Sequence, residues 1–360
     1  MPMHFHGFVR GINISEIHGN HAWTLEDHLE PGFIAEFARA HEEAGFERVL
    51  IGAFSTGADG WAIGQHVMAS TTRLSAMIAH RPGFVAPTVA ARKALTLDQL
   101  SGGRTSLNIV TGGSDADMAK DGDWTTKEER YRRTDEYLTV MRQMWERSEP
   151  FDHEGEFYRV AGAYSELRPT RPGSIPIFFG GASGSAVPVA AKHADVYMLF
   201  GEPLAAVADR LAEVRAVTPP GRDPEFCVSF RPIVAETDDL AWEKAHAYLE
   251  RIVAARGGQA VAASTRPGSH GADRLREFAT QQELFDTCLW MPIAAATGAG
   301  GNTTCLVGSA ETVAAAILAY WEIGVRHVLI RGFEPLEDVR QWGEALIPLV
   351  QAEVARRERA

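Results

Sequence analysis

Cysteine is scarce. Cys227, Cys288 and Cys305 are the only three in 360 residues, too few and too oddly spaced for a disulfide framework or a zinc site. They fit a reducing compartment, and we expect a cytoplasmic protein. Long apolar runs are absent too: none approaches the ~20 residues of a membrane span. The opening "MPMHFHGFVRG" has neither the basic start nor the apolar stretch of a signal peptide. Positive charge is also in deficit. A formal net charge of −12 gives poor electrostatics for phosphate backbones or anionic membranes, so neither nucleic acid nor membrane is expected as a partner. The chain carries no Walker loop, no G-x-G-x-x-G dinucleotide fingerprint and no G-x-S-x-G nucleophile elbow. An enzyme with no nucleophile or metal of its own borrows chemistry from a cofactor.

What is present points to a large core. Hydrophobic residues make up 45% and charged ones 23%, which excludes a disordered or fibrous chain. Short apolar runs alternate with amphipathic helical stretches from end to end. Strands are predicted at His4 to Val9, Arg48 to Gly52, Leu74 to Ala79, Thr105 to Val110, Ile175 to Gly180, Asp195 to Phe200, Phe226 to Val234 and His327 to Arg331. Helices fall between them, including Phe33 to Ala44, Tyr131 to Trp145, and one capped by Ser309 that runs to Trp321. Alternating β and α elements mean a parallel sheet, and eight of each predict an α/β fold, a (β/α)8 TIM barrel forming one domain over 1–360. Two segments break the repeat. Residues 151–174 read as a hairpin with a proline-punctuated return, and 256–305, rich in Gly, Ala and Thr, as a mobile lid.

Barrel active sites lie at the C-terminal ends of the strands. There, "RTSLNIVTGGSDADMAKDG" ends strand four in Asn108 and Thr111, then spreads Asp115, Asp117 and Asp121 over what reads as a solvated loop. In "IPIFFGGASGSA", Gly180, Gly181 and Ser183 lie between a strand and a helix start near Ser183 or Gly184, where free N–H groups attract a phosphate. A tight βα turn is the equal alternative. His4 and His6 share a face of strand one, but strands five and eight offer no evident further ligand, so no metal is expected. Four arginines stand at strand ends: Arg10, Arg81, Arg231 and Arg331. Such groups need partners. Salt bridges to Glu202, Glu334 or Asp59 would account for each singly; together they suggest an anionic pocket.

The motifs "LSGGRTSLNIVTGG", "DGDWTTKEERYRRTDEYLTVMRQMW", "FDHEGEFYRV", "IPIFFGGASGSA", "AAKHADVYMLFGEP" and "LIRGFEPLEDVRQWGEALIPLV" resemble the bacterial luciferase-like flavin monooxygenases, specifically the alkanesulfonate and dimethylsulfone monooxygenase subgroup. The resemblance implies a barrel that takes reduced FMN from a separate NAD(P)H-dependent flavin reductase and uses O2 to oxygenate a small organosulfur substrate, with C–S cleavage, in a homodimer or homotetramer. It also implies that Tyr131 and Ser183 hold the FMN phosphate, that Gly181 gives backbone access, and that Asn108, Thr111 and His80 border the flavin. The family's Arg-x-His pair in strand seven appears as Ser229 and Arg231, a strand-two cysteine is replaced around Gly57, and a tyrosine near strand eight is Phe333. Ser229 and Arg231 are therefore the expected catalytic pair, with Arg10, Phe200, Arg331 and Phe333 toward the substrate. Arg231 could instead form a structural ion pair with Glu202 or Glu236. A deazaflavin-dependent reductase and a flavin-binding protein without turnover are the alternative readings.

Overall fold

The computed structural model describes residues 2–18, 28–112, 114–256, 270–300 and 304–359. Eight parallel strands close on themselves: β1 (His4–Val9), β2 (Arg48–Ile51), β3 (Ser75–His80), β4 (Thr105–Ile109), β5 (Ile177–Gly180), β6 (Val196–Phe200), β7 (Glu225–Ala235) and β8 (His327–Ile330). Each pairs with the next, and β8 returns to β1 with His327 opposite His4. Every strand lies within two residues of its apolar run. The sheet has no free edge around the barrel, which is what closure achieves.

The flanking helices follow local chemistry. Pro31–Glu43 starts with proline in its first turn and buries Phe33, Ile34, Phe37, Ala38 and His41 on one stripe. Lys127–Glu146 begins four residues before its apolar periodicity, because Thr126 and Glu129 form a reciprocal capping box. Ser309 caps Ala310–Glu322 by accepting from the Thr312 N–H. The helix Pro87–Ser101 stops at Gly102, whose φ of +68° is the left-handed conformation that glycine adopts without strain.

One expectation is corrected. Asp115 and Asp121 are exposed as expected, but the segment that carries Asp115 and Asp117 is not a loop. Asp115–Lys120 is a short helix capped by Ser114, with acids favoured in its first turn. Arg81 donates to Asp117 at 2.5 Å and Arg130 to Asp115 at 2.5 Å.

The first insertion is an antiparallel hairpin, Phe151–Glu154 with Arg159–Ala163. Within the second, residues 257–269 and 301–303 lie outside the described residues, and with them part of the stretch read as a lid. The remainder forms the helix His270–Gln281, short strands at Leu284–Phe285 and Leu289–Trp290, and the helix Pro292–Thr297. Cys305–Ser309 then pairs in parallel with the upper half of β7, from Arg231 to Ala235. That pairing explains why β7 is eleven residues long and continues past Pro232.

Side chains alternate between two cores. Val49, Ile78, Leu107, Phe179, Tyr197 and Val228 face the helices, while Met77, Phe178, Val196, Cys227 and Leu329 fill the barrel interior. Below this plug, the His4 ring stacks on His327 with centroids 4.7 Å apart. His6 Nε2 lies 2.9 Å from His327 Nδ1, and His327 Nε2 lies 2.8 Å from Glu225. The two strand-one histidines thus belong to the floor, opposite the mouth. Among the described residues no cluster of His, Cys, Asp or Glu could hold a metal ion.

Candidate functional site

Period-two alternation decides which residues see the mouth. Asn108 is in step with Ser106 on the inner face of β4, while Leu107 and Ile109 belong to the outer core. Asn108 is buried and its Oδ1 has no hydrogen-bond partner among the described residues. Just past β4, buried Thr111 meets Thr134 of the helix Lys127–Glu146, with hydroxyls 3.3 Å apart. A buried acceptor left open costs free energy unless something fills it.

The end of β5 forms a cradle. A Cβ at Gly181 would lie 2.9 Å from Ala186 Cβ and 3.2 Å from the Tyr131 hydroxyl, so only glycine leaves that space open. Tyr197 donates its hydroxyl to the Gly181 carbonyl and fixes the turn. Burial raises the Tyr131 pKa, opposed by the neighbouring Ser183 hydroxyl. Ser183 Oγ is buried without the geometry of a full hydrogen bond to any described residue. The helix Ala186–His193 begins just beyond. A backbone bare of side chains and the neighbouring hydroxyls of Tyr131 and Ser183 fit a phosphate, whose oxygens accept from all of them.

Across the mouth, on the arc β7–β8–β1, three arginines meet one acid. Arg231 donates through Nη2 to Glu16 Oε2 at 2.6 Å, and Arg331 through Nε to Oε1 at 2.8 Å. Arg10 Nη1 lies 3.2 Å from Oε1. Glu16 is 5% exposed. Burial alone would raise its pKa, but Arg331, Arg231 and Arg10 together bring it down to about 2. Burial brings the Arg331 pKa down to about 10, against the pull of Glu16. Arg231 also donates to the Gly332 carbonyl at 2.7 Å and lies over the Phe333 ring at 4.7 Å. Arg331 lies over Phe8 at 4.1 Å.

The expected residues are therefore brought together unevenly. Tyr131, Gly181 and Ser183 form one cluster; Arg10, Arg231, Arg331 and Phe333 form another. Ser229 shares the inner face with Arg231, but its hydroxyl donates to the Leu199 carbonyl at 3.2 Å. Half-buried Phe200 ends β6 beneath the helix His270–Gln281, touching the position of Gly271. His80 does not face the mouth. It is in step with Ala76 and Ile78 on the helix side, where its Nε2 lies 2.7 Å from the Tyr137 hydroxyl and its ring meets Trp61 edge-on. Burial, helped by Lys93, lowers its pKa to about 4.

The arginine partners differ from those expected. Arg231 and Arg331 use Glu16. Arg81 uses Asp117 and Asp121. Glu202 instead takes a two-pronged contact from Arg274, at 2.7 and 2.6 Å. Glu16 and Tyr197 were not singled out from sequence. Glu16 sits in "GINISEIHG" with no pattern around it, and Tyr197 reads as an ordinary strand aromatic.

A closed eight-stranded parallel barrel with polar groups gathered at its C-terminal mouth is the architecture in which α/β-barrel enzymes place their active sites. The family model for luciferase-like monooxygenases matches residues 8–327, and the chain belongs to that family, whose members use flavins. Solved structures agree on the fold. The riboflavin lyase RcaE, determined with modified FMN and riboflavin, superposes with a TM-score of 0.79 at 18% identity, covering 98% of this chain and 92% of that one. The EDTA monooxygenase EmoA from Chelativorans sp. BNC1 gives 0.77 at 17%, covering 98% and 94%. DmoA from Hyphomicrobium sulfonivorans gives 0.76 at 18%, covering 100% and 89%.

Proposed function

We propose that the protein is the oxygenase of a two-component system, binding reduced FMN delivered by a separate NAD(P)H-dependent reductase and oxygenating a small organosulfur compound. The observation that carries this reading is the cluster of the Gly181 backbone, the Tyr131 hydroxyl and the Ser183 hydroxyl at the end of β5, together with the open acceptor of Asn108. A mononucleotide needs one such cradle. Tyr131 and Ser183 would hold the phosphate, and Asn108 and Thr111 would border the ring system. When bound, the reduced flavin supplies the electrons for splitting O2, one oxygen atom going to substrate. The chain's residues then have three tasks: orienting the cofactor from the β4–β5 side, holding an anionic substrate from the β7–β8–β1 side, and excluding water. Arg231, backed by Phe333 and sharing its face with Ser229, would take the second task. Resemblance to the alkanesulfonate and dimethylsulfone subgroup supports the sulfur chemistry, C–S cleavage included.

The test combines binding and turnover. Tyr131→Phe with Ser183→Ala should weaken FMN binding about tenfold, since two hydrogen bonds to a charged group are lost; unchanged affinity places the phosphate elsewhere. Sulfonates, sulfones and carbonyl compounds are then screened with reduced FMN and O2 by mass spectrometry. Oxygenated product supports the reading. Hydride transfer with a deazaflavin and no O2 uptake replaces it by the reductase alternative.

A further inference from the structure

Three consecutive strands of the closed barrel, β7, β8 and β1, each aim one arginine at the same carboxylate. We propose that Arg10, Arg231 and Arg331 form a seat for one anionic group of a ligand, a carboxylate or a sulfonate, and that Glu16 is its internal occupant, exchanged when the ligand binds. This rests on reading the mouth as the substrate side.

The donors and the acceptor are held differently. All three guanidiniums stand on or directly after barrel strands, and two are fixed by contacts that do not involve Glu16. Arg231 is tied to the Gly332 carbonyl and backed by Phe333; Arg331 is backed by Phe8. Glu16 opens a one-turn 3-10 helix, Glu16–His18, in the connection after β1, whose main chain is held by the fully buried Ile17, by the Glu16 N–H donating to the Phe333 carbonyl at 2.7 Å and by Ser15 donating to Glu334 at 2.8 Å, so only the side-chain carboxylate has to move. When the carboxylate swings out, the donors keep their geometry, and a preorganised site loses little entropy on binding.

Donor number also favours a ligand over the internal acid. The Glu16 oxygens take hydrogen bonds from Arg231 and Arg331, while buried Arg10 Nη1, at 3.2 Å, lacks the angle for a third. A sulfonate offers three oxygens on one centre where a carboxylate offers two. It can therefore engage Arg10 as well as the pair that Glu16 already uses. In a dry pocket that additional charge-assisted bond counts for more than in water. The exchange makes Glu16 a specificity determinant: a ligand must outcompete a covalently tethered carboxylate, which a neutral molecule cannot do.

The experiment is calorimetric titration of the flavin-free protein with methanesulfonate and with acetate. Glu16→Gln should bind methanesulfonate at least about tenfold more tightly than the wild-type protein and keep methanesulfonate preferred over acetate, while Arg10→Met should bind it at least about tenfold more weakly and lose that preference. If Glu16→Gln does not fold, Glu16→Asp, which keeps the charge but shortens the reach, should still bind more tightly than wild type. Equal or weaker binding in whichever of these variants folds overturns the proposal, as does anion binding that ignores Arg10. FMN titration run in parallel separates the two claims. Anion binding without FMN binding overturns the flavin reading and leaves the seat standing; FMN binding without anion binding does the reverse.

Discussion

At the floor of the barrel His6 and His327 are packed as neutral rings, while at the mouth Arg10, Arg231 and Arg331 crowd a single carboxylate. Both ends bury basic residues, but they solve desolvation in opposite ways. Burial lowers the pKa of His6 and of His327, the latter against the pull of Glu225, and an imidazole can simply release its proton. A guanidinium cannot, so the mouth must keep a counter-ion at hand. The floor is thus built for stability and the mouth for exchange of charge. Acid should break the first; loss of a guanidinium should break the second.

The largest effect expected is on the pH dependence of folding. His41, packed between Phe37 and Phe46, and His80 are both brought to about 4, in each case chiefly by burial. Their folded-state values lie below the unfolded value of about 6.5, so below that pH the unfolded chain takes up protons that the fold refuses. The stability they contribute is fully present above pH ~6.5 and is lost as pH falls toward 4. With one pKa unit worth about 1.4 kcal/mol, the pair withdraws about 6 kcal/mol by pH 4, and His6 and His327 act in the same direction. Urea melts at about pH 7, 5.5 and 4.5 should show a steady fall. His80→Phe should flatten part of the slope, and a profile level down to about pH 5 would sink the assignment of neutral buried histidines.

A smaller loss is expected from the barrel plug. Phe178 is 1% exposed, meets His6 edge-on and supports Arg48 at 5.6 Å. Phe178→Ala should destabilise the fold by about 3–5 kcal/mol through lost burial and the cavity left behind. Phe178 is the cross-strand partner of Asn108 on the inner face, so a modest loss of FMN affinity in the folded protein, up to about threefold, should accompany the change. A collapse of FMN binding in folded protein would show that floor and mouth are not separable.

This division was only partly legible in the sequence. The eight strands could be read because each is a short run of β-branched and aromatic residues between turn signals, and helices of fixed period lie between them. Asn108, Gly181 and Ser183 stand in local motifs at strand ends and are legible there, whereas Tyr131, on the helix Lys127–Glu146, enters only through the family resemblance. Glu16 escaped notice because its importance comes from strands more than two hundred residues away, which no spacing encodes. His80 stands next to the end of β3 in sequence, yet a step of one residue sends its side chain to the helices, so adjacency to a strand end does not place a residue in the mouth. The Asp115–Lys120 helix was missed because acids and glycines suggest a loop, while the Ser114 cap and the arginines that neutralise it lie partly elsewhere in the chain.

The smallest of these free-energy changes, but the one closest to chemistry, concerns Arg231. Its side chain is 5% exposed, shares the inner face of β7 with Ser229 and Cys227, and is held by Glu16, Gly332 and Phe333. A substrate anion reaching this point from the mouth meets a planar donor already fixed in orientation, so a two-pronged contact costs little reorganisation. Arg231→Met keeps much of the side-chain volume and leaves Glu16 compensated by Arg331 and Arg10, so the variant should fold. With the substrate found by the product screen, its kcat/KM should fall on the order of a hundredfold, equivalent to ~2–3 kcal/mol for one charge-assisted pair. FMN affinity should barely change, because the cradle lies across the mouth. A drop confined to KM would mean that Arg231 binds substrate and transition state equally, while equal losses in kcat and kcat/KM would mean that it acts only as charge develops. Full turnover by the variant would remove Arg231 from the site and leave it a structural partner of Glu16.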